Sequence, residues 1–235
     1  MICAICACKQ AKPHSGISAA IPDSLVITSK LLTRAQQEKL TPDEVILNLK
    51  EGNKDFVEDK STFRNNSKKV REAASGQYPK AVILSCLDPR VPVEDIFHAG
   101  IADLISIRIA GNIINEDILG SLEYACKVSG TKVIVILGHE NCGTIKSAID
   151  DVKFGNITNL LAKIQPAVRS AATDFIGETT SKNTTFIEAV CKANVRLSIK
   201  DLRLQSTALA DMEQEGRIKI IGAVYDIKSG VVAFL

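Results

Sequence analysis

The stretch that decides the fold covers residues 81–90 and reads Ala81-Val82-Ile83-Leu84-Ser85-Cys86-Leu87-Asp88-Pro89-Arg90. Its first half is apolar, rich in β-forming residues and too short for a helix, which is typical of a strand covered on both faces. The same pattern returns at 104–109, 132–137 and 218–224. These four segments predict the strands of a buried, largely parallel sheet.

Helical patterns lie before and between the predicted strands. Thr41 is a good N-cap, Pro42 suits the first helical position and Glu44 completes a capping box, so a helix should run from there to Asp59. Further helices are predicted at 115–129, near 144–151 and 157–172, and over about 185–215. This alternation predicts an α/β fold, with a mostly parallel central sheet flanked by helices.

The domain organisation follows from where periodicity begins. Residues 1–40 carry little periodicity and are interpreted as an N-terminal leader or arm. No Gly/Ser-rich linker interrupts 41–235, so we expect a single domain there.

The formal net charge is only +2, which argues against nucleic-acid binding through bulk positive charge. The apolar runs are too short for a bilayer span, so no transmembrane segment is predicted.

The first eight residues contain three of the seven cysteines. Ile5-Cys6-Ala7-Cys8 resembles the end of a bacterial lipoprotein signal, although the apolar stretch is short and no basic region precedes it. This interpretation predicts a periplasmic protein anchored through Cys8. An irregular leader on a cytoplasmic protein is the alternative, and Cys3 and Cys6 as a CxxC pair is a third, weakened by the lack of a second CxxC.

Three possible metal ligands follow two of the predicted strands. Cys86 comes directly after the first strand, and His139 and Cys142 come after the third. The carboxyl ends of neighbouring parallel strands meet at one edge of the sheet, where open α/β folds bind ligands. Two thiolates and one imidazole suit zinc, and three protein ligands leave the fourth tetrahedral position open. The sequence therefore predicts a catalytic zinc site. Of the candidates for a fourth ligand, Cys126 and Cys191 are interpreted as inert buried thiols and His98 as a loop or helix-end residue.

Asp88 and Arg90 lie beside Cys86 at alternate positions of an extended segment, so their side chains point the same way and can pair. A carboxylate next to arginine stays ionised and oriented. We interpret the pair as catalytic because it lies beside a predicted metal ligand. The alternative is a surface ion pair, which would contribute under about 1 kcal/mol.

These residues carry a family resemblance that covers roughly residues 41–235. Cys-x-Asp-x-Arg at 86–90, followed some fifty residues later by His-x-x-Cys at 139–142, is similar to the signature of β-class carbonic anhydrases. Supporting matches lie at 94–97, 103–104, 108–112, 121–125 and 142–143. The chain departs from the family where Pro89 replaces a usual serine and Ala102 a common glycine.

The resemblance implies zinc-dependent, reversible hydration of CO₂ to bicarbonate and a proton, with zinc hydroxide as nucleophile. Asp88 would accept a hydrogen bond from the hydroxide while Arg90 holds Asp88. In an inactive state of the family, Asp88 would instead become the fourth zinc ligand. The resemblance also implies a homodimer or a tetramer of dimers, with the helix from Pro42 as an arm.

Three alternatives remain at this point. The same scaffold hosts enzymes that act on carbon disulfide or carbonyl sulfide. A Cys–His nucleophilic hydrolase using Cys86 or Cys142 would need no metal. A non-enzymatic zinc-binding module would hold the ion without turnover.

Overall fold

A computed structural model describes residues 31–60 and 66–235, so the interpretations placed on Cys3, Cys6 and Cys8 lie outside the described residues. The centre of the fold is a five-stranded sheet with the order β2-β1-β3-β4-β5. The strands are β1 (Ala81–Ser85), β2 (Leu104–Arg108), β3 (Val133–His139), β4 (Lys219–Tyr225) and β5 (Val232–Phe234). The first four are parallel, and β5 pairs with β4 in the antiparallel sense. The predicted α/β fold and all four predicted strands are confirmed.

Ten helices of the described residues surround this sheet. They are α1 (Arg34–Lys39), α2 (Pro42–Val57), α3 (Asn66–Ala73), α4 (Val93–Ile96), α5 (Glu116–Lys127), α6 (Gly143–Ile149), α7 (Gly155–Ala162), α8 (Gln165–Ala172), α9 (Thr184–Gln205) and α10 (Thr207–Gln214). None of them is both long and apolar enough to cross a lipid bilayer.

The sheet is covered on both faces, which explains the unbroken apolar strands. In β1, Val82 and Leu84 face a cluster built with α5, α9 and α10, whereas Ala81 and Ile83 face a cluster built with α2 and α4. Every residue of β1 is buried. A strand buried on both faces has no solvent-facing position, so its sequence loses the alternation of a half-exposed strand.

Two predicted helices are corrected by the structure. The segment 157–172 is divided between α7 and α8, and 185–215 between α9 and α10. Ser206 ends α9 and caps α10, because its Oγ accepts the Leu209 N–H and donates to Glu123. Serine marks the end of a helix far less clearly than glycine or proline does. The apolar periodicity of α9 and α10 therefore appeared in the sequence as that of one continuous helix.

The structure adds four elements that we did not predict: α1, α3, α4 and β5. Helix α1 has its own capping box from Thr33 and Gln36, and the buried Gln37 side chain donates to Pro79 O and Ser129 O.

Ala102 has a φ of 67°, which accounts for the glycine that is common there in the family, since glycine adopts this conformation at little cost.

Asn53 of α2 joins three parts of the fold. Its Nδ2 donates to Ile96 O and Gly230 O, and its Oδ1 accepts the Val232 N–H at the start of β5. We expect Asn53→Ala to lower the free energy of unfolding by at least about 2 kcal/mol, because each buried polar group left without a partner costs about 1–3 kcal/mol. Thermal and urea unfolding at one protein concentration measure this.

Asn48→Ala on the same helix is the matched control. Asn48 is exposed and bonds only its own helix at Glu44 O, so its loss should change stability by less than about 0.5 kcal/mol. Equal losses for the two variants would contradict the role given to Asn53.

Candidate metal centre

Cys86, His139 and Cys142 meet at the carboxyl edge of the sheet. Cys86 follows β1, His139 is the last residue of β3, and Cys142 is the N-cap of α6. Because Ser85 pairs with Leu137, Cys86 and His139 lie just beyond this pair at the ends of neighbouring strands. The ligand atoms of the three residues lie within 4.8 Å of one another, and all three residues are buried.

The geometry of this group fits a tetrahedral zinc ion. The two sulfur atoms are 4.0 Å apart, close to the separation of about 3.8 Å that Zn–S bonds of about 2.3 Å require at tetrahedral angles. His139 Nδ1 lies 2.9 Å from Glu140 O, which can only accept, so Nδ1 carries the proton. His139 Nε2 is then an acceptor, and it is buried and has no hydrogen-bond partner among the residues that the structure describes. A metal ion would satisfy this nitrogen.

The two thiols also need a counter-charge. A hydrogen bond joins the two thiols; it lowers the pKa of Cys86, and together with burial it raises the pKa of Cys142. Without a cation, only one of two adjacent buried thiols ionises readily. A divalent ion removes this conflict, because it stabilises both thiolates.

Asp88 and Arg90 form a bidentate pair beside the group. Arg90 Nη2 lies 2.7 Å from Asp88 Oδ2, and Arg90 Nε lies 3.0 Å from Oδ1. The Arg90 side chain lowers the pKa of Asp88 to about 2, so the carboxylate is ionised at neutral pH. Asp88 Oδ2 is 3.9 Å from His139 Nε2. The pair predicted from the sequence is therefore formed, and it faces the metal group.

Residues 108–112 support the ligand loop from the neighbouring strand β2. Arg108 Nε donates to Cys86 O over 3.2 Å, and its Nη2 donates to Asp88 O. Gly111 N–H donates to Cys86 Sγ over 3.4 Å from a 3-10 turn at Ala110–Asn112. Gly111 has a φ of 67°, and a Cβ there would lie 2.6 Å from Ile164 Cδ1. Gly111 and Asn112 thus form a backbone turn beside the ligand loop, and the part played by Arg108 was not foreseen.

The other candidate ligands lie elsewhere. His98 follows α4 and contacts Asp55, with Nδ1 3.5 Å from Oδ2. Cys126 of α5 and Cys191 of α9 are buried, and burial raises the pKa of Cys126 to about 11 and that of Cys191 to about 12. Within 31–60 and 66–235, the metal group contains no fourth cysteine or histidine.

Fold and site together define an α/β protein with a buried, three-ligand Cys₂His centre beside an arginine-held carboxylate. The family model of carbonic anhydrase matches residues 81–232. The chain therefore belongs to the carbonic anhydrase family, and it is an enzyme of the β class, whose activity is CO₂ hydration.

Relatives and solved structures agree with this placement. Carbonic anhydrase 2 of Mycobacterium tuberculosis is 30% identical over 188 residues, which span 77% of this chain and 87% of that protein. A carbonic anhydrase of Mycolicibacterium smegmatis is 31% identical over 193 residues, or 78% and 88% of the two chains. Tetrameric β-carbonic anhydrases of Sordaria macrospora share the fold, with a TM-score of 0.66 at 23% identity over 72% of this chain and 87% of theirs.

Proposed function

We propose that Cys86, His139 and Cys142 hold a catalytic Zn²⁺ and that Asp88 and Arg90 complete the site for CO₂ hydration. The observation that carries the proposal is the buried His139 Nε2, which has no hydrogen-bond partner in the described part of the chain and lies within 4.8 Å of two cysteine sulfur atoms. The ion would supply Lewis acidity that makes water nucleophilic near neutral pH.

The protein's own groups orient that water and exclude others. Asp88 is ionised and acceptor-only, so it takes a hydrogen bond from the nucleophile and directs the remaining lone pair at CO₂. Arg90 fixes the Asp88 carboxylate through two parallel hydrogen bonds. The apolar cluster of Ile113, Ile145 and Ile164 packs with Cys86 and Cys142 and keeps bulk water away from the thiolates.

In an inactive state, Asp88 would instead be the fourth zinc ligand. Its Oδ2 lies 3.9 Å from His139 Nε2 and is bound to Arg90 Nη2. Binding the ion would require Asp88 to leave its bidentate pair with Arg90, so the pair favours the active arrangement.

The proposal extends to assembly and to domain organisation. We expect residues 41–235 to act as one catalytic domain. We also expect a homodimer or a tetramer of dimers, since the β-carbonic anhydrases from Sordaria macrospora that share this fold are tetrameric. Exposed apolar side chains are available for such contacts, notably Leu87 beside the site and Phe154 at the start of α7.

One experiment separates this function from its rivals: metal analysis with stopped-flow CO₂ hydration, before and after treatment with a strong chelator. We expect one zinc per chain, rapid hydration, loss of both on chelation and recovery with Zn²⁺. Activity that survives chelation and falls on thiol alkylation would support a Cys–His hydrolase. Zinc without turnover would support a binding module, and turnover of carbon disulfide or carbonyl sulfide alone would support the related hydrolases.

A further inference from the structure

One face of α9 carries three buried polar side chains at positions i, i+3 and i+7: Cys191, Asn194 and Ser198. Each donates to a backbone carbonyl at the carboxyl edge of the sheet. Cys191 Sγ donates to His139 O over 3.3 Å, Asn194 Nδ2 to Gly111 O over 2.8 Å, and Ser198 Oγ to Asn112 O over 3.1 Å. Burying polar groups in a helix is costly unless they are hydrogen-bonded, so this face is built to hold the loops that carry the site.

Asn194 holds the turn at Gly111, whose backbone N–H contacts the sulfur atom of the metal-ligand candidate Cys86. Gly111 and Asn112 both have positive φ values, 67° and 42°. Such a turn has competing conformations, since glycine moves freely between positive and negative φ. The bond from Asn194 fixes the Gly111 carbonyl, and on the other side of the same residue the Gly111 N–H donates to Cys86 Sγ over 3.4 Å.

We infer that Asn194 is a positioning residue for the metal centre: it holds the Gly111 turn so that the Gly111 N–H donates to the Cys86 thiolate. A hydrogen bond to a ligand sulfur withdraws electron density from it and tunes the bond between sulfur and metal. Asn194 does not contact a ligand itself, and it acts through Gly111. The inference rests on the proposed function, because it assumes that Cys86 binds the metal.

Cobalt substitution tests the inference, because the absorption of bound Co²⁺ reports on its thiolate ligands and does not change when a variant merely loses stability. In Co²⁺-loaded Asn194→Ala, we expect the thiolate-to-cobalt charge-transfer band to shift, and zinc binding to weaken by about 10–100-fold, as for other outer-shell partners of metal ligands. Ser198→Ala is the matched control, since it removes an equally buried donor on the same helix face, but from the Asn112 carbonyl. It should leave the band in place.

A second measurement needs no variant. In wild-type protein loaded with ¹¹³Cd²⁺, a scalar coupling between ¹¹³Cd and the Gly111 amide proton would report the hydrogen bond through Cys86 Sγ. Absence of this coupling, or equal band shifts in the two alanine variants, would overturn the inference alone. Wild-type protein that binds neither Co²⁺ nor Cd²⁺ at Cys86, His139 and Cys142 would overturn the proposed function and this inference with it.

Discussion

Replacing Cys142 by alanine is expected to remove both the bound zinc and CO₂ hydration. Cys142 supplies one of two sulfur atoms 4.0 Å apart, and the remaining pair of Cys86 and His139 cannot complete a three-ligand site. Zinc binding should weaken by more than the roughly 100-fold that loss of an outer-shell partner costs. Metal analysis after dialysis against a competing chelator, followed by stopped-flow hydration, measures both effects.

Cys126→Ala is the control for loss of a buried thiol. Cys126 is as buried as Cys142, but it lies on α5 outside the metal group, where its sulfur accepts a hydrogen bond from Thr131. We expect full zinc content and unchanged turnover in this variant. A Cys142→Ala protein that keeps stoichiometric zinc would contradict the ligand assignment, and one that keeps activity without zinc would point to a metal-independent hydrolase.

The sheet and the ligand group were predictable because their signals are local. Strands buried on both faces appear as short, unbroken apolar runs, and β1 and β3 are of this kind. Once these strands are taken as parallel neighbours, their carboxyl ends must lie at the same edge of the sheet. Cys86 and His139 are then close in space although they are far apart in the sequence. The pairing of Asp88 with Arg90 was predictable because side chains two residues apart in an extended segment point the same way.

The supporting contacts were not predictable, because they join distant segments through backbone groups. Asn194 and Ser198 appear in the sequence only as polar residues within a helical pattern, and nothing local marks the carbonyls of Gly111 and Asn112 as their partners. Arg108 belonged to a run that was recognised by resemblance, yet its hydrogen bonds to the Cys86 and Asp88 carbonyls depend on the pairing of β1 with β2. Backbone acceptors are present at every residue, and only the tertiary fold selects among them.

Asp88→Asn is expected to separate metal binding from catalysis. The substitution keeps the shape of the side chain but removes its charge, and it places an amide donor where the nucleophile needs an acceptor. Zinc should remain bound, because Asp88 pairs with Arg90 and is not one of the three ligands. We expect kcat/KM for CO₂ hydration to fall by about 10²–10⁴-fold, the range typical of a positioned acid–base group.

Asp151→Asn is the matched control, since Asp151 forms an exposed ion pair with Lys153 at the same spacing as Asp88 with Arg90. It should leave kcat/KM unchanged, because an exposed pair outside the metal group contributes only to surface charge. Equal turnover in Asp88→Asn and wild type would exclude Asp88 from the reaction. Loss of zinc from Asp88→Asn would show that Asp88 supports metal binding, and the Asp88–Arg90 pair would then be a part of the metal site itself.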